Sequence, residues 1–272
     1  MNPAEQSGQK QQPARRNVLR SFGLLGGGAV IGASVAAAGI TAANIHGRNR
    51  ADAPPRAEDS DQVLNADVFF RCDKNIGQPR IALTFDDGPD EKWTPTVLNM
   101  LATAGPVAAK GTFFQMGSAL ESAAGKDLCR QVKAAGHEIG VHAYEHYNLS
   151  TLTLDEVRKQ VKSTYDLLAE TTGQKPAVFR PPYGAINGNV LRVAAENDLQ
   201  IVLWSHHITG SDPVKMRHRL LTSVYEGAVV LMHDGRVDPN DELMQQLGFL
   251  LKDLGEKQIS AVTTTELMRG CV

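Results

Sequence analysis

Ile81-Ala82-Leu83-Thr84-Phe85-Asp86-Asp87-Gly88-Pro89 is a short apolar run that stops at two carboxylates and a Gly-Pro pair. Such a run, rich in bulky side chains and closed by turn residues, has the pattern of a buried β-strand. It recurs at 112–116, 138–141, 177–179, 201–204, 229–232 and 261–263, which gives seven expected strands. Amphipathic segments lie between them. Leu154, Val157, Val161, Thr164 and Leu168 keep helical spacing, with Thr153 and Glu156 placed as a capping box and Gly173 as a stop. From 241 to 254, Leu243, Leu247, Leu250 and Leu254 repeat the signature, which ends at Gly255. Strand followed by helix, repeated, predicts an α/β fold with a parallel sheet, either open or closed as an irregular (β/α) barrel of about seven strands. Ligands in such folds sit at the carboxyl ends of the strands, so the polar residues just beyond each strand are where chemistry is expected.

The chain has 272 residues, 42% of them hydrophobic, which excludes a disordered, collagen-like or polytopic membrane protein. Its charge is unevenly spread. Six of the 28 basic side chains but only Glu5 of the 30 acidic ones lie in residues 1–50. The rest is therefore acidic, and nucleic acid is not an expected partner, because that affinity comes from Lys and Arg neutralising phosphates. Arg15-Arg16-Asn17-Val18-Leu19-Arg20 is a twin-arginine pattern, and residues 21–47 carry no Asp, Glu, Lys or Arg. Residues 1–47 thus read as an export signal, or as a membrane anchor if uncut; 48–66, with Pro54-Pro55, read as a linker, and 67–272 as the folded domain. Export implies an oxidising compartment. Cys72 and Cys271 bracket the domain and are expected to form a disulfide, while Cys129, inside a helical pattern, reads as a small core residue.

Four strand ends carry groups that could do chemistry. Asp86 and Asp87 form an ordinary turn in one reading; in another, one carboxylate binds a metal and the other takes a proton. His142 and His146 in His142-Ala143-Tyr144-Glu145-His146 share a face if the segment makes a helical turn, close enough for one Zn(II), or are two unrelated surface histidines. Arg180-Pro181-Pro182-Tyr183-Gly184 is a rigid loop that can present Arg180 inward as an orienting cation and the Tyr183 N–H as an oxyanion donor. Leu231-Met232-His233-Asp234-Gly235 places a further histidine at the same rim.

The ordered combination resembles the polysaccharide deacetylase family, the NodB-homology domain of carbohydrate esterases, from about Arg80 to Leu267. The resemblance implies a barrel of about seven strand–helix units, Asp86 as general base, Asp87, His142 and His146 as the triad for a divalent ion such as zinc, and His233 as general acid. It also implies that Arg180 orients Asp86. The substrate would be an acetylated polysaccharide or oligosaccharide such as peptidoglycan or chitin fragments, reached outside the cell, with the N-acetyl group as the target. Two positions depart from the family pattern. Ala143 stands where Ser or Thr usually follows the first histidine. After Trp204, His207 and Gly210 occupy places where the family sets aspartates, one of which tunes the acid histidine; Asp212 is the expected substitute through a shifted loop. Three rival readings remain: an O-acetyl xylan-type esterase, a non-catalytic carbohydrate-binding homologue, and an inverted zinc peptidase using Glu145 in its H-x-x-E-H pattern.

Overall fold

The computed structural model describes residues 66–74, 77–104, 109–209, 226–236 and 239–271. The expected leader, nearly all of the expected linker, Gly210 and Asp212 lie outside these residues. Nine strands are found among them: β1 Val68–Phe69, β2 Arg80–Asp86, β3 Gly111–Gln115, β4 Glu138–Val141, β5 Val178–Phe179, β6 Gln200–Val202, β7 His206–His207, β8 Val229–His233 and β9 Ser260–Val262. Six α-helices accompany them: α1 Trp93–Ala102, α2 Ala123–Ala134, α3 Leu154–Thr172, α4 Gly188–Glu196, α5 Asp241–Glu256 and α6 Thr264–Arg269. All seven expected strands are present. The two additional strands have only two residues each, too few to show a hydrophobic pattern.

The strands form one parallel sheet in the order β1-β6-β5-β4-β3-β2-β8-β7, with β9 pairing to the first half of β2. The segment from β6 to β7 closes the curl. Its first part pairs with β5 and β1, whereas its last part pairs with β8, so one extended stretch serves both ends of the sheet. An antiparallel bridge from Arg71 to Ala228 ties the same ends. The result is the curled α/β barrel that the strand–helix alternation predicts.

Side chains along β2 alternate between two environments, as a pleated strand requires. Ile81, Leu83 and Phe85 pack outward with Val97 and Leu101 of α1 and Leu243, Leu247 and Leu250 of α5. Ala82 joins Phe114, Val178, Val202 and Val229 in a second apolar cluster. A third cluster joins β4, β5 and β6 to α2, α3 and α4, and includes Cys129. Burial pushes the Cys129 thiol up to about 12, which keeps it protonated and unreactive.

Helix α3 follows its sequence closely. Thr153 and Glu156 form the reciprocal capping box, and Gly173 closes the helix in left-handed backbone at φ 68°. Helix α5 does not stop at Gly255 as expected; it runs to Glu256 and is capped by Lys257. Its first turn is closed by Asn240, whose side chain accepts the Leu243 N–H, and carries Asp241 and Glu242, the favourable charge for that end. Cys72 and Cys271 are disulfide-bonded across 199 residues of sequence, with a Cα–Cα distance of 5.5 Å. In a chain-entropy account, closing so long a loop stabilises the fold by about 5 kcal/mol.

His137, just before β4, gives the fold a pH dependence. It is 8% exposed, and its Nδ1 accepts the Gly111 N–H at 3.2 Å. Burial, with help from Lys110, lowers its pKa from 6.5 to about 4. The unfolded chain therefore takes up this proton first as the pH falls. Stability is complete above about 6.5 and declines by up to about 3 kcal/mol by pH 4. A His137→Gln variant should show a flatter melting-temperature profile between those values; an unchanged slope would contradict this assignment.

Candidate active site

Parallel register brings the carboxyl ends of the strands to one rim. Asp86 lies opposite His233 of β8 and Phe114 of β3, and Val141, just before His142, lies opposite Phe179, just before Arg180. Four of the six non-glycine residues with left-handed backbone among those described fall in the turns beyond these strands: Asp87, Ala143, Tyr183 and Arg236, at φ 73°, 68°, 61° and 61°. Such backbone is unfavourable for residues with a Cβ and concentrates where function dictates position.

Arg180 is fully buried and organises the centre. Its Nη1 donates to Asp86 Oδ1 at 2.7 Å and to Thr84 Oγ1 at 2.8 Å. Its Nε and Nη2 donate to the carbonyls of Val202 and Leu203 at 2.9 and 3.0 Å, and its Cζ lies 4.2 Å from the Phe114 ring centroid. The Thr84 hydroxyl in turn donates a hydrogen bond to the Val230 carbonyl at 2.8 Å. Asp86 is thereby held in one orientation by a charge-assisted hydrogen bond inside the barrel.

The Arg180 carbonyl fixes the tautomer of His142. It accepts from Nδ1 at 2.7 Å, and a carbonyl can only accept, so Nδ1 carries a proton and Nε2 of the neutral ring is the atom able to ligate. That Nε2 lies 3.3 Å from Asp87 Oδ1, and His146 Nε2 lies 3.5 Å from the same oxygen. The histidines do not meet on a helical turn as the spacing suggested. His142 directly follows β4, Ala143 reverses the chain in left-handed backbone, and His146 returns from a bend. The bend is pinned by the Glu145 N–H, which donates to Gln160 Oε1 at 2.7 Å, and by N–H groups of Gly117 and Ser118 on the carbonyls of Ala143 and Tyr144. Without a helix there, the segment lacks the setting that an inverted zinc peptidase requires.

Asp87 Oδ1 is buried without a hydrogen bond, although it faces two imidazoles. One ligand atom from each of Asp87, His142 and His146 lies within 4.8 Å of the others. One carboxylate oxygen and two imidazole nitrogens are a donor set suited to a divalent transition-metal ion, and three protein ligands leave a further position open. The charges are consistent with this. Burial alone would raise the Asp87 pKa, but the attraction of His142, His146 and His233 holds it below the usual carboxylate range. Burial lowers that of His142, which the carboxylates of Asp86 and Asp87 more than offset. For His146, burial outweighs the attraction of Asp87 and the net shift is downward.

Tyr183 is 65% exposed, with its ring 4.5 Å from that of His146. The His207 ring lies 5.5 Å from His233 and 6.4 Å from Trp204. His207 is thus a ring neighbour of His233 at this rim. Three contributors carry little sequence signal. Thr84 is a polar residue within an apolar strand, which could have marked it. Gln160 reaches the site only through tertiary packing. Asp234 is fully buried, accepts from Thr94 Oγ1 at 2.7 Å and is pushed up to about 7 by burial.

The polysaccharide deacetylase family model matches residues 73–202. A Bacillus cereus protein named peptidoglycan-N-acetylglucosamine deacetylase is 35% identical over 177 residues, covering 61% of this chain and 62% of that protein. A second Bacillus cereus protein of the same name is 33% identical over 194 residues, covering 70% of this chain and 88% of that one. A crystal structure of a peptidoglycan N-acetylglucosamine deacetylase superposes with a TM-score of 0.67 at 31% identity, covering 74% of this chain and 92% of that one. The chain thus spans less than two thirds of the first relative's own length. The identity shared over most of the second relative's length, together with the common fold, shows that the chain belongs to the polysaccharide deacetylase family.

Proposed function

We propose that this chain hydrolyses N-acetyl groups on a glycan outside the cell, with N-acetylglucosamine of peptidoglycan as the first substrate to test. The observation that carries this reading is the buried, unbonded Asp87 Oδ1 facing the Nε2 atoms of His142 and His146 beside an Arg180-held Asp86. The relatives named above support the substrate class, and the Arg15-Arg16 leader supports export.

Asp87, His142 and His146 would hold a divalent ion, zinc by the donor set. When bound, such an ion supplies Lewis acidity, polarising a carbonyl and lowering the pKa of a water toward about 7. Asp86, aimed by Arg180, takes the proton of the attacking water. The Tyr183 N–H donates to the oxygen that gains charge as the acetyl carbon becomes tetrahedral. His233 returns a proton to the sugar nitrogen, so acetate and a free amine leave.

An amine needs that proton more than an alcohol does, because it is the poorer leaving group. His233→Ala should therefore depress acetate release from N-acetyl glycans more than from O-acetyl esters, and equal losses would contradict its role as acid. The proposal as a whole is tested by assaying acetate release from N- and O-acetylated glycans with and without chelator. Chelator-sensitive release from N-acetylglucosamine polymers is expected; release from O-acetyl xylan alone would make the chain an esterase, and no release from any of them would make it a binding homologue.

A further inference from the structure

Arg236 has no part in the chemistry proposed above, yet its guanidinium lies against the metal triad. Its Nε is 3.2 Å from Asp87 Oδ2; the arginine side chain is 38% exposed and that of the aspartate 3%. Arg236 holds left-handed backbone at φ 61°, so an unfavourable turn carries the side chain back over the site.

Asp87 does not need this arginine for its backbone position. The Asp234 N–H donates to the Asp86 carbonyl at 3.1 Å, and the Met116 N–H to the Gly88 carbonyl at 3.0 Å. Gly235 packs so tightly that a Cβ there would lie 2.2 Å from the Asp87 carbonyl oxygen. What Arg236 adds is charge. The triad faces Asp87 Oδ1, and Arg236 faces Oδ2 of the same carboxylate. A cation on the first oxygen and a guanidinium beside the second repel each other, only partly screened by solvent.

We infer that Arg236 is the counter-charge of the unloaded site, pairing with Asp87 when no metal ion is present and weakening the hold on the ion when one is. The inference rests on the metal centre proposed above. The occupied site is then less tight than the triad alone would make it, while the buried aspartate of the unloaded chain keeps a partner.

The test is a zinc titration of the chelator-stripped full chain against a chromophoric competitor, at fixed pH and low salt, for wild type, Arg236→Gln and Arg236→Lys. Arg236→Gln should bind zinc about three- to tenfold more tightly than wild type, Arg236→Lys should stay within about twofold of it, and added salt should narrow the first difference. Zinc-free Arg236→Gln should also melt below zinc-free wild type. Unchanged or weaker zinc binding by Arg236→Gln, or equally tight binding by Arg236→Lys, would overturn the role of the charge. Failure of wild type itself to bind zinc would overturn the metal centre.

Discussion

Asp86→Asn is expected to lower acetate release by about 10²- to 10⁴-fold, the usual contribution of a positioned general base, while zinc binding persists. The substitution keeps the shape and an oxygen that can accept from Arg180 Nη1, now at 2.7 Å from Oδ1. What disappears is the negative charge and the capacity to take a proton. Asp86 is not one of the triad: its Oδ2 lies 3.8 Å from His142 Nε2, farther than the Asp87 oxygen at 3.3 Å. The informative pair of readouts is therefore turnover and metal content on the same preparation. Loss of both together would show that Asp86 is a ligand; retention of turnover would show that another group removes the proton.

Arg180→Met should cost about 3–5 kcal/mol of stability, because removing one partner of a buried ion pair strands the other. Arg180 and Asp86 are 0% and 4% exposed at their side chains. The carbonyls of Val202 and Leu203 would also lose their Arg180 donors. A lowering of the melting temperature by about 6–20 °C is expected. Adding Asp86→Asn should restore part of that loss, since the stranded charge is then gone, although neither variant would be active. A single variant melting like wild type, or a double variant no better than the single, would contradict this account of the pair.

Much of this arrangement was legible in the sequence because strand ends are punctuated. Ile81 to Phe85 shows a buried strand by its apolar run, and Asp86-Asp87-Gly88-Pro89 shows where it stops. Parallel winding then brings every such stop to one rim, so Asp86, Asp87, His142, Arg180 and His233 could be grouped without coordinates. Val68–Phe69 and His206–His207 were not legible as strands: two residues carry no period, and they pair only because the barrel edge is there to receive them. The four-residue spacing brings His142 and His146 together only through a helical turn. The chain instead uses Ala143 in left-handed backbone, a conformation that spacing does not reveal. Gln160 and Arg236 carry no signal in the sequence because their contacts with Glu145 and Asp87 arise from tertiary packing. The end of α5 passed Gly255 because no left-handed turn was required there.

Asp87, His142 and His146 are expected to grip one divalent cation together. Equilibrium dialysis of the chelator-stripped chain against zinc, with metal counted by mass spectrometry, tests it most directly. Wild type is predicted to retain a stoichiometric ion, and Asp87→Ala, His142→Ala and His146→Ala to retain almost none at the same free zinc while still folded by circular dichroism. Stoichiometric zinc in any two of those three variants would contradict it.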